Sequence, residues 1–396
     1  MSTEGRSETA SSAPASALES ASFVHLVARA DGDALAASGL LARALAARET
    51  PYQVSIGRTV ADRTDRVNDR DPTADDATIA VGAVDADVTR LETDDRPATL
   101  AALEVVRDLE ASPDPVLALA GLVAAGVEPG AGECEWILEA ARERELVERR
   151  PGLAVPSADP VGGCAHSTQV AAPWSGDPDA TRAALDDLDV ALDDPDSLAD
   201  DDYRAIGSAV ALDVVGDDRA VDAAAETIQR ALRPYATPEH AFETVGGYAD
   251  VLEATARTEP GTGAALAMGH DAHEPALAAW REYGRRAHTS LEGASTGRYD
   301  GLFVLGIDDG PVEAVARLAV SFRSPEPTVL VVAEDEAAIA TRGDDALGAT
   351  LEAITRDLKE TGAAGVTYDS ANRRGYLRYD PDVDQSTIIE IVRALR

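Results

Sequence analysis

A chain of 396 residues has room for two or three domains with cores of their own. Its 72 acidic against 35 basic residues leave a formal charge of -37, a load that repels itself unless salt screens it. Only two cysteines, no apolar run of the ~18 to 20 residues that spans a bilayer, and no basic, apolar leader argue against a disulfide scaffold, a membrane helix and a secretory signal, so the expected location is cytoplasmic.

Residues 1–20, rich in Ser, Ala, Glu and Thr without periodicity, read as a disordered acidic tail. Phe23-Val-His-Leu-Val-Ala28 is a short apolar run that stops at Asp31-Gly32, a strand followed by a tight turn. From Ala34 to Leu45 the small and aliphatic residues recur at helical spacing, with Leu40, Leu41, Ala44 and Leu45 on one face. A strand feeding a helix in this way puts Asp31 at the carboxyl end of the strand, where open α/β sheets hold their ligands. Thr78 to Asp85 reads as a second buried strand, Asp114 to Gly126 and Glu135 to Val147 as helices, and Arg149-Arg150-Pro151-Gly152 as an abrupt stop. These elements define an α/β domain over residues 21–160.

Residues 161–290 read as a linker and helical connector: Asp177 to Asp202 is an acid-heavy, solvated helix with a linker, and helical signals continue over 203–290. A smaller α/β unit is expected over 291–396. In it Gly301 to Ile307 and Thr328 to Ala333 read as strands, and Val312 to Phe322, Asp335 to Ala340 and Leu347 to Thr361 as helices.

Few side chains outside the first turn suggest chemistry. Cys134 and Cys164 stand far apart and read as reduced, buried thiols. His166 is a lone polar residue on an expected loop. His270-Asp-Ala-His273 and His288 have metal-like types, yet i, i+3 histidines beside Glu274-Pro275 suit a solvated helix start better. Neither a P-loop nor a Gly-x-Gly-x-x-Gly behind a strand is present.

The segment His25 to Leu45 resembles the first motif of the DHH phosphoesterase superfamily, His-x-Asp-x-Asp-Gly before an aliphatic helix, and most of all its archaeal RecJ-like single-strand exonucleases. Aligned on Asp31-Gly32, the family's His falls on Val27, its first Asp on Arg29 and its second on Asp31, with His25 two residues early. The second strand leaves Asp85 or Asp87 near the next ligand position, with Gly82 a competing alignment. No Asp-His-His triplet occurs, its closest remnant being Asp94-Asp95-Arg96, and Gly126 stands where the last ligand Asp is expected. The resemblance continues through Ala165 to Asp177 and through Tyr248 to Gly269, where Arg257 matches a family arginine. In the last unit, similar to the DHH-associated domain, Gly362-Ala-Ala-Gly365-Val-Thr replaces a Gly-Gly-His loop, so that Val366 takes the place of its His.

The resemblance implies an N-terminal DHH-like parallel-sheet domain, a helical connector and a smaller C-terminal α/β DHH-associated-like domain. Active relatives are manganese- or magnesium-dependent 5′-3′ single-strand exonucleases; relatives that lost their ligands act as non-catalytic subunits of the replicative helicase assembly with MCM and GINS. A two-metal phosphodiesterase site needs several carboxylates or imidazoles converging on ions ~3.5 to 4 Å apart. Here Asp31 is the retained candidate catalytic residue, and an active site would need a metal set of Asp31, Asp85 and His25, while Arg29 puts a fixed positive charge on a ligand position. The expectation is therefore a catalytically inactive or impaired protein with no resident cofactor, acting in DNA replication and repair or RNA processing through single-stranded DNA or RNA or through protein partners. The alternative is an exonuclease or phosphodiesterase with a rearranged site that uses Mn or Mg. Arg373, Arg374 and Arg378, with the Gly362 and Gly365 loop, are the candidate nucleic-acid contacts, although these arginines would equally balance an acidic surface.

The abundance of Asp and Ala and the near absence of Lys, with Lys359 alone, resemble proteins of extreme halophiles. In about 1 M salt the Debye length is ~3 Å, so self-repulsion becomes short-ranged. The acids are spread along the chain, which disfavours a mimic of nucleic acid.

Overall fold

A computed structural model describes residues 13–70, 73, 75–91, 96–343 and 346–395. The chain divides into two compact units, one holding residues up to Arg149 together with Tyr235–Trp280, the other Arg150–Pro234 together with the residues from Arg281 onward. The fold is α/β, with a parallel sheet in the first unit and a mixed sheet in the second. Among the described residues no helix is long and apolar enough to cross a membrane.

The first unit is built on a four-stranded parallel sheet in the order β2-β1-β3-β4, with β1 Phe23–Arg29, β2 Tyr52–Gly57, β3 Asp76–Val81 and β4 Thr89–Leu91. β1 lies between two parallel neighbours and is buried from Val24 to Ala28, as the continuous apolar run requires of a strand covered on both faces. Residues 13–20, part of the expected tail, form helix α1 with Ala15 and Leu18 buried; residues 1–12 lie outside the described residues.

Helix α2 (Gly32–Ala47) is buried almost all round, from Gly32 to Leu45 except at Arg43. A helix apolar on every side must be covered on every side, and α2 packs against α4 (Ala98–Asp108), α5 (Pro115–Ala124), α11 (Val245–Thr258) and α12 (Pro260–Ala267). Helices α3 (Val60–Asn68) and α6 (Glu135–Glu143) and the short β5–β6 pair, Glu148–Arg149 with Tyr235–Ala236, belong to the same unit. Cys134 and Cys164 are buried thiols outside any disulfide.

In the second unit a six-stranded sheet runs β11-β12-β10-β9-β8-β7, with only β8 and β9 parallel. Its strands are β7 Ser295–Tyr299, β8 Leu302–Gly306, β9 Thr328–Val332, β10 Glu336–Thr341, β11 Thr367–Ala371 and β12 Arg374–Arg378. Alternate residues serve opposite faces: Leu330 and Val332 join Leu351, Ile354 and Ile388 of α15 (Gly348–Glu360) and α16 (Gln385–Ala394), while Val329 and Val331 join Val315 and Ala319 of α14 (Val312–Phe322). Helices α7 (Pro160–His166), α8 (Pro178–Leu185), α9 (Asp200–Gly216) and α10 (Asp222–Ala231) complete this unit, and α13 (His273–Gly293) leads into β7.

Two local expectations are corrected. Asp335 to Ala340, alanine-rich and read as a helix, forms β10 in a hairpin with β9. Ala337 and Ile339 face one layer of helices and Ala338 and Ala340 the other, so tertiary pairing on both edges overrides alanine's helix propensity. His166 is the last residue of α7 rather than a loop residue; it is buried, and its Nδ1 lies 2.9 Å from the Gly162 carbonyl oxygen.

Candidate functional site

The turn from β1 into α2 is held by charges. Asp31 is the N-cap of α2 in extended conformation, and its Oδ1 accepts from the Ala34 N–H at 2.8 Å. Its other oxygen accepts from Arg29 Nε. Both carboxylate oxygens are therefore engaged, one on the helix end and one on a guanidinium, with the pair's side chains 12% and 10% exposed. The next residue, Gly32, donates its N–H to Glu253 Oε2 of α11 at 2.9 Å. A Cβ on Gly32 would stand 2.9 Å from Ala124 Cβ and 3.1 Å from the Glu253 backbone nitrogen, so close packing of α5 and α11 explains this glycine.

Glu253 in turn pairs with Arg257 one helical turn on, at 2.9 Å, with both side chains under a tenth exposed. Asp33 accepts from the Ala98 and Thr99 N–H groups at 2.7 and 2.8 Å and so ties α2 to the start of α4. Burial, and after it the neighbouring Asp31 charge, push the Asp33 carboxyl up to about 6 against the pull of the Thr99 hydrogen bonds.

The neighbouring strand ends hold a second guanidinium. Arg63 of α3 is fully buried, its Nε donating to the Ala83 carbonyl oxygen at 2.9 Å and its Nη1 to that of Gly57 at 3.1 Å. Gly82 has φ +113°, and a Cβ there would meet Arg29 Cβ at 3.2 Å and Arg63 Nε at 3.8 Å. The carboxyl ends of β1, β2 and β3 thus hold Arg29 and Arg63, with Arg58 directly after β2, and a carboxylate already committed to Arg29.

This donor set does not fit a pair of divalent ions. Each would need several free oxygen or nitrogen donors, whereas among the described residues no three His, Cys, Asp or Glu side chains come together as a metal-holding group. A guanidinium cannot lose its proton to become a ligand, and its charge opposes a cation beside it.

The other sequence candidates are dispersed. His25 lies in the middle of β1, four residues and about 13 Å before Arg29 at ~3.3 Å per residue. Its Nε2 is 2.9 Å from Ser55 Oγ and its Nδ1 is buried without a hydrogen-bond partner. Burial, with the Arg70 and Arg66 charges adding, lowers its pKa to about 4, so it stands as a neutral imidazole. Asp85 and Asp87 follow β3 on an exposed segment, where the Asp85 N–H donates to Thr64 Oγ1 at 2.8 Å. Asp94 and Asp95 lie outside the described residues. Gly126 ends α5 with φ +83° and nothing within 4 Å of where its Cβ would be.

In the second unit Arg374 and Arg378 lie on one face of β12, opposite Ala371 and Thr367 of β11. Arg373 lies just before β12, where its carbonyl oxygen accepts from the Thr341 N–H at 3.1 Å. Gly362 and Gly365, with φ of +91° and +65°, form the turn between α15 and β11. A Cβ on Gly365 would fall 2.3 Å from Asp380 Oδ1, so a carboxylate borders the loop. Val366 is buried in the core under α15 and α16.

Asp33, Arg63 and Glu253 are missed by sequence reading. Asp33 leaves a trace in the spacing Asp31-Gly-Asp33 and Glu253 in its i, i+4 relation to Arg257; Arg63 leaves none.

Residues 294–394 match the family described as "Uncharacterized protein rrnAC1427, C-terminal domain". Over 372 residues the chain is 48% identical to "Uncharacterized protein rrnAC1427" of Haloarcula marismortui, covering 91% of this chain and 94% of that one. Among solved structures, CDC45 from Entamoeba histolytica superposes with a TM-score of 0.62 over 98% of both chains at 7% identity, a likeness of fold. A structure of exonuclease RecJ bound to manganese is looser, with a TM-score of 0.45 at 13% identity over 98% of this chain and 92% of that one.

Proposed function

We propose, for a chain that belongs to the rrnAC1427 family, that it is a degenerate RecJ-like DHH protein of the cytoplasm whose hydrolytic centre has become a structural junction. It acts in DNA replication and repair or in RNA processing by holding single-stranded nucleic acid or a protein partner. One observation carries this reading: Arg29 is ion-paired to Asp31, the one acidic residue of the motif retained at its expected position. A scaffold that keeps the strand, the turn and the helix but puts a guanidinium on one ligand position and apolar residues or glycine on others retains shape and loses Lewis-acid chemistry. The CDC45 likeness supports the fold on which the reading rests.

In the second unit we assign strand phosphates to Arg373, Arg374 and Arg378 on and beside β12, since arginine suits bidentate phosphate contact. The Gly362–Gly365 turn is a weaker candidate because Asp380 borders it.

The test is a 5′-labelled single strand of DNA or RNA incubated with the full chain in multimolar KCl and Mn²⁺ or Mg²⁺. The reading expects an intact label, together with strand binding or co-purification of replication, repair or RNA-processing proteins. Metal-dependent release of nucleotides, abolished by Asp31→Ala, would establish the enzyme instead.

A further inference from the structure

A groove of about 450 Å³ opens in the second unit between α15 and β11. Its volume suits a small ligand. Glu352, Thr355, Arg356 and Lys359 form one stripe of α15 at spacings of three and four residues, Glu360 closes one end, and Tyr368 of β11 supplies the facing wall.

Two features set this groove apart from an ordinary helix surface. Thr355 is only 5% exposed, yet its Oγ1 has no hydrogen-bond partner, a cost that a bound group would relieve. Lys359, the single lysine of the chain, lies here on an exposed turn one helical step from Arg356, so two cations stand among Glu352 and Glu360, with Arg356 Nε 3.8 Å from Asp357 Oδ1.

Glu352 restricts the ligand further. Its Oε1 accepts from the Tyr368 hydroxyl at 3.3 Å, which leaves Oε2 for a second donor. A bare anion would meet Glu352 and Glu360 as well as the cations. The groove instead offers a flat ring, a carboxylate acceptor beside it and two cations further along, together with a hydroxyl that can donate or accept.

We propose that the α15–β11 groove binds a guanosine 5′-phosphate unit. The base lies against Tyr368 with its ring N–H and exocyclic amine donating to Glu352, and the phosphate meets Lys359, Arg356 and Thr355 Oγ1. Stacking on an aromatic ring and a hydrogen-bonded base edge are how unpaired bases are held. The unit can come from a free nucleotide or from a guanine within a single strand, and the second case rests on the nucleic-acid half of the reading above.

Calorimetric titration of the full chain in molar KCl tests it, with guanosine monophosphate, uridine monophosphate and inorganic phosphate as probes. The proposal expects saturable guanosine monophosphate binding, at least about tenfold tighter than for the uridine compound, and weakening of roughly that size in Lys359→Glu. Thr355→Val serves as the second variant. Removing an unpartnered hydroxyl leaves the melting temperature unchanged or raised, so any loss of affinity reports the ligand contact. Absence of guanosine monophosphate binding, equal binding of all three probes, or affinity unaltered by both variants overturns it. Guanine-rich and uridine-only single strands separate the sources. If guanosine monophosphate binds but wild type and Lys359→Glu bind both strands equally, the groove takes the free nucleotide and the strand binds elsewhere. If the mononucleotide binds and neither strand does, the ligand is the free nucleotide and strand binding fails.

Discussion

Arg29 and Asp31 form an ion pair at the carboxyl end of the central strand, Arg29 Nε donating to Asp31 Oδ2 while Asp31 Oδ1 caps α2. A carboxylate so placed is a structural element of the β1–α2 turn. Its chemistry is spent on a helix end and a guanidinium before any ligand arrives.

Asp31→Ala removes the cap and leaves Arg29 without this partner. Cap loss costs about 1 kcal/mol, and loss of the charge-assisted bond to the largely buried Arg29 side chain a further ~1 to 3 kcal/mol. Asp31→Asn keeps an oxygen for the Ala34 N–H and is expected to lose clearly less. Denaturant unfolding in molar KCl measures both; equal losses in the two variants would show that the cap contributes nothing.

Glu253 and Arg257 form a buried pair that also receives the Gly32 N–H. Arg257→Met leaves a buried carboxylate short of its cation and is expected to cost ~3 to 5 kcal/mol, whereas the double variant Glu253→Met with Arg257→Met recovers part of that loss. A double-mutant cycle reads the coupling directly. Strictly additive single effects would mean that the two side chains do not sense each other.

Two buried groups in the first unit give opposite pH signatures. The His25 pKa lies at about 4 against 6.5 in the unfolded chain, so its contribution is complete above 6.5 and is lost as pH falls toward 4. Asp33 is pushed from 3.8 up to about 6, so its contribution is complete below 3.8 and is lost as pH rises through 6. Relative to wild type between pH 4 and 6, His25→Gln should therefore gain stability on acidification and Asp33→Asn should lose it. Melting temperatures in a pH series check this, and parallel curves for all three proteins would remove both assignments.

The charge of -37 sets a salt dependence. Raising KCl from about 0.1 M to about 1 M shortens the Debye length from ~10 to ~3 Å and removes most long-range repulsion. Stability should climb steeply over that range and flatten beyond it, as followed by far-UV circular dichroism on heating. A flat profile would show that the acids are balanced locally.

Much of the first unit could be read from local pattern. The apolar run ending at Asp31-Gly32 and the helical spacing through Leu45 describe β1 and α2, because each depends on residues next to one another in sequence. β10 was not legible: Ala337, Ala338 and Ala340 favour a helix in isolation and become a strand only between β9 and β12. The site was half legible for the same reason. Arg29 and Asp31 are two residues apart, while Glu253 reaches Gly32 across 221 positions and Arg63 reaches Ala83 across twenty. A residue at a ligand position can be recognised as the wrong type from sequence. What fills the space around it is decided by packing.

The claim that the Arg29–Asp31 ion pair stands where a metal site would be is tested most directly by electron paramagnetic resonance of Mn²⁺ titrated into the full chain in molar KCl. The account predicts that the free-ion signal of Mn²⁺ grows from the first addition, and identically for wild type and Asp31→Ala. Suppression of that signal up to one or two equivalents in wild type, lost in Asp31→Ala, would contradict it.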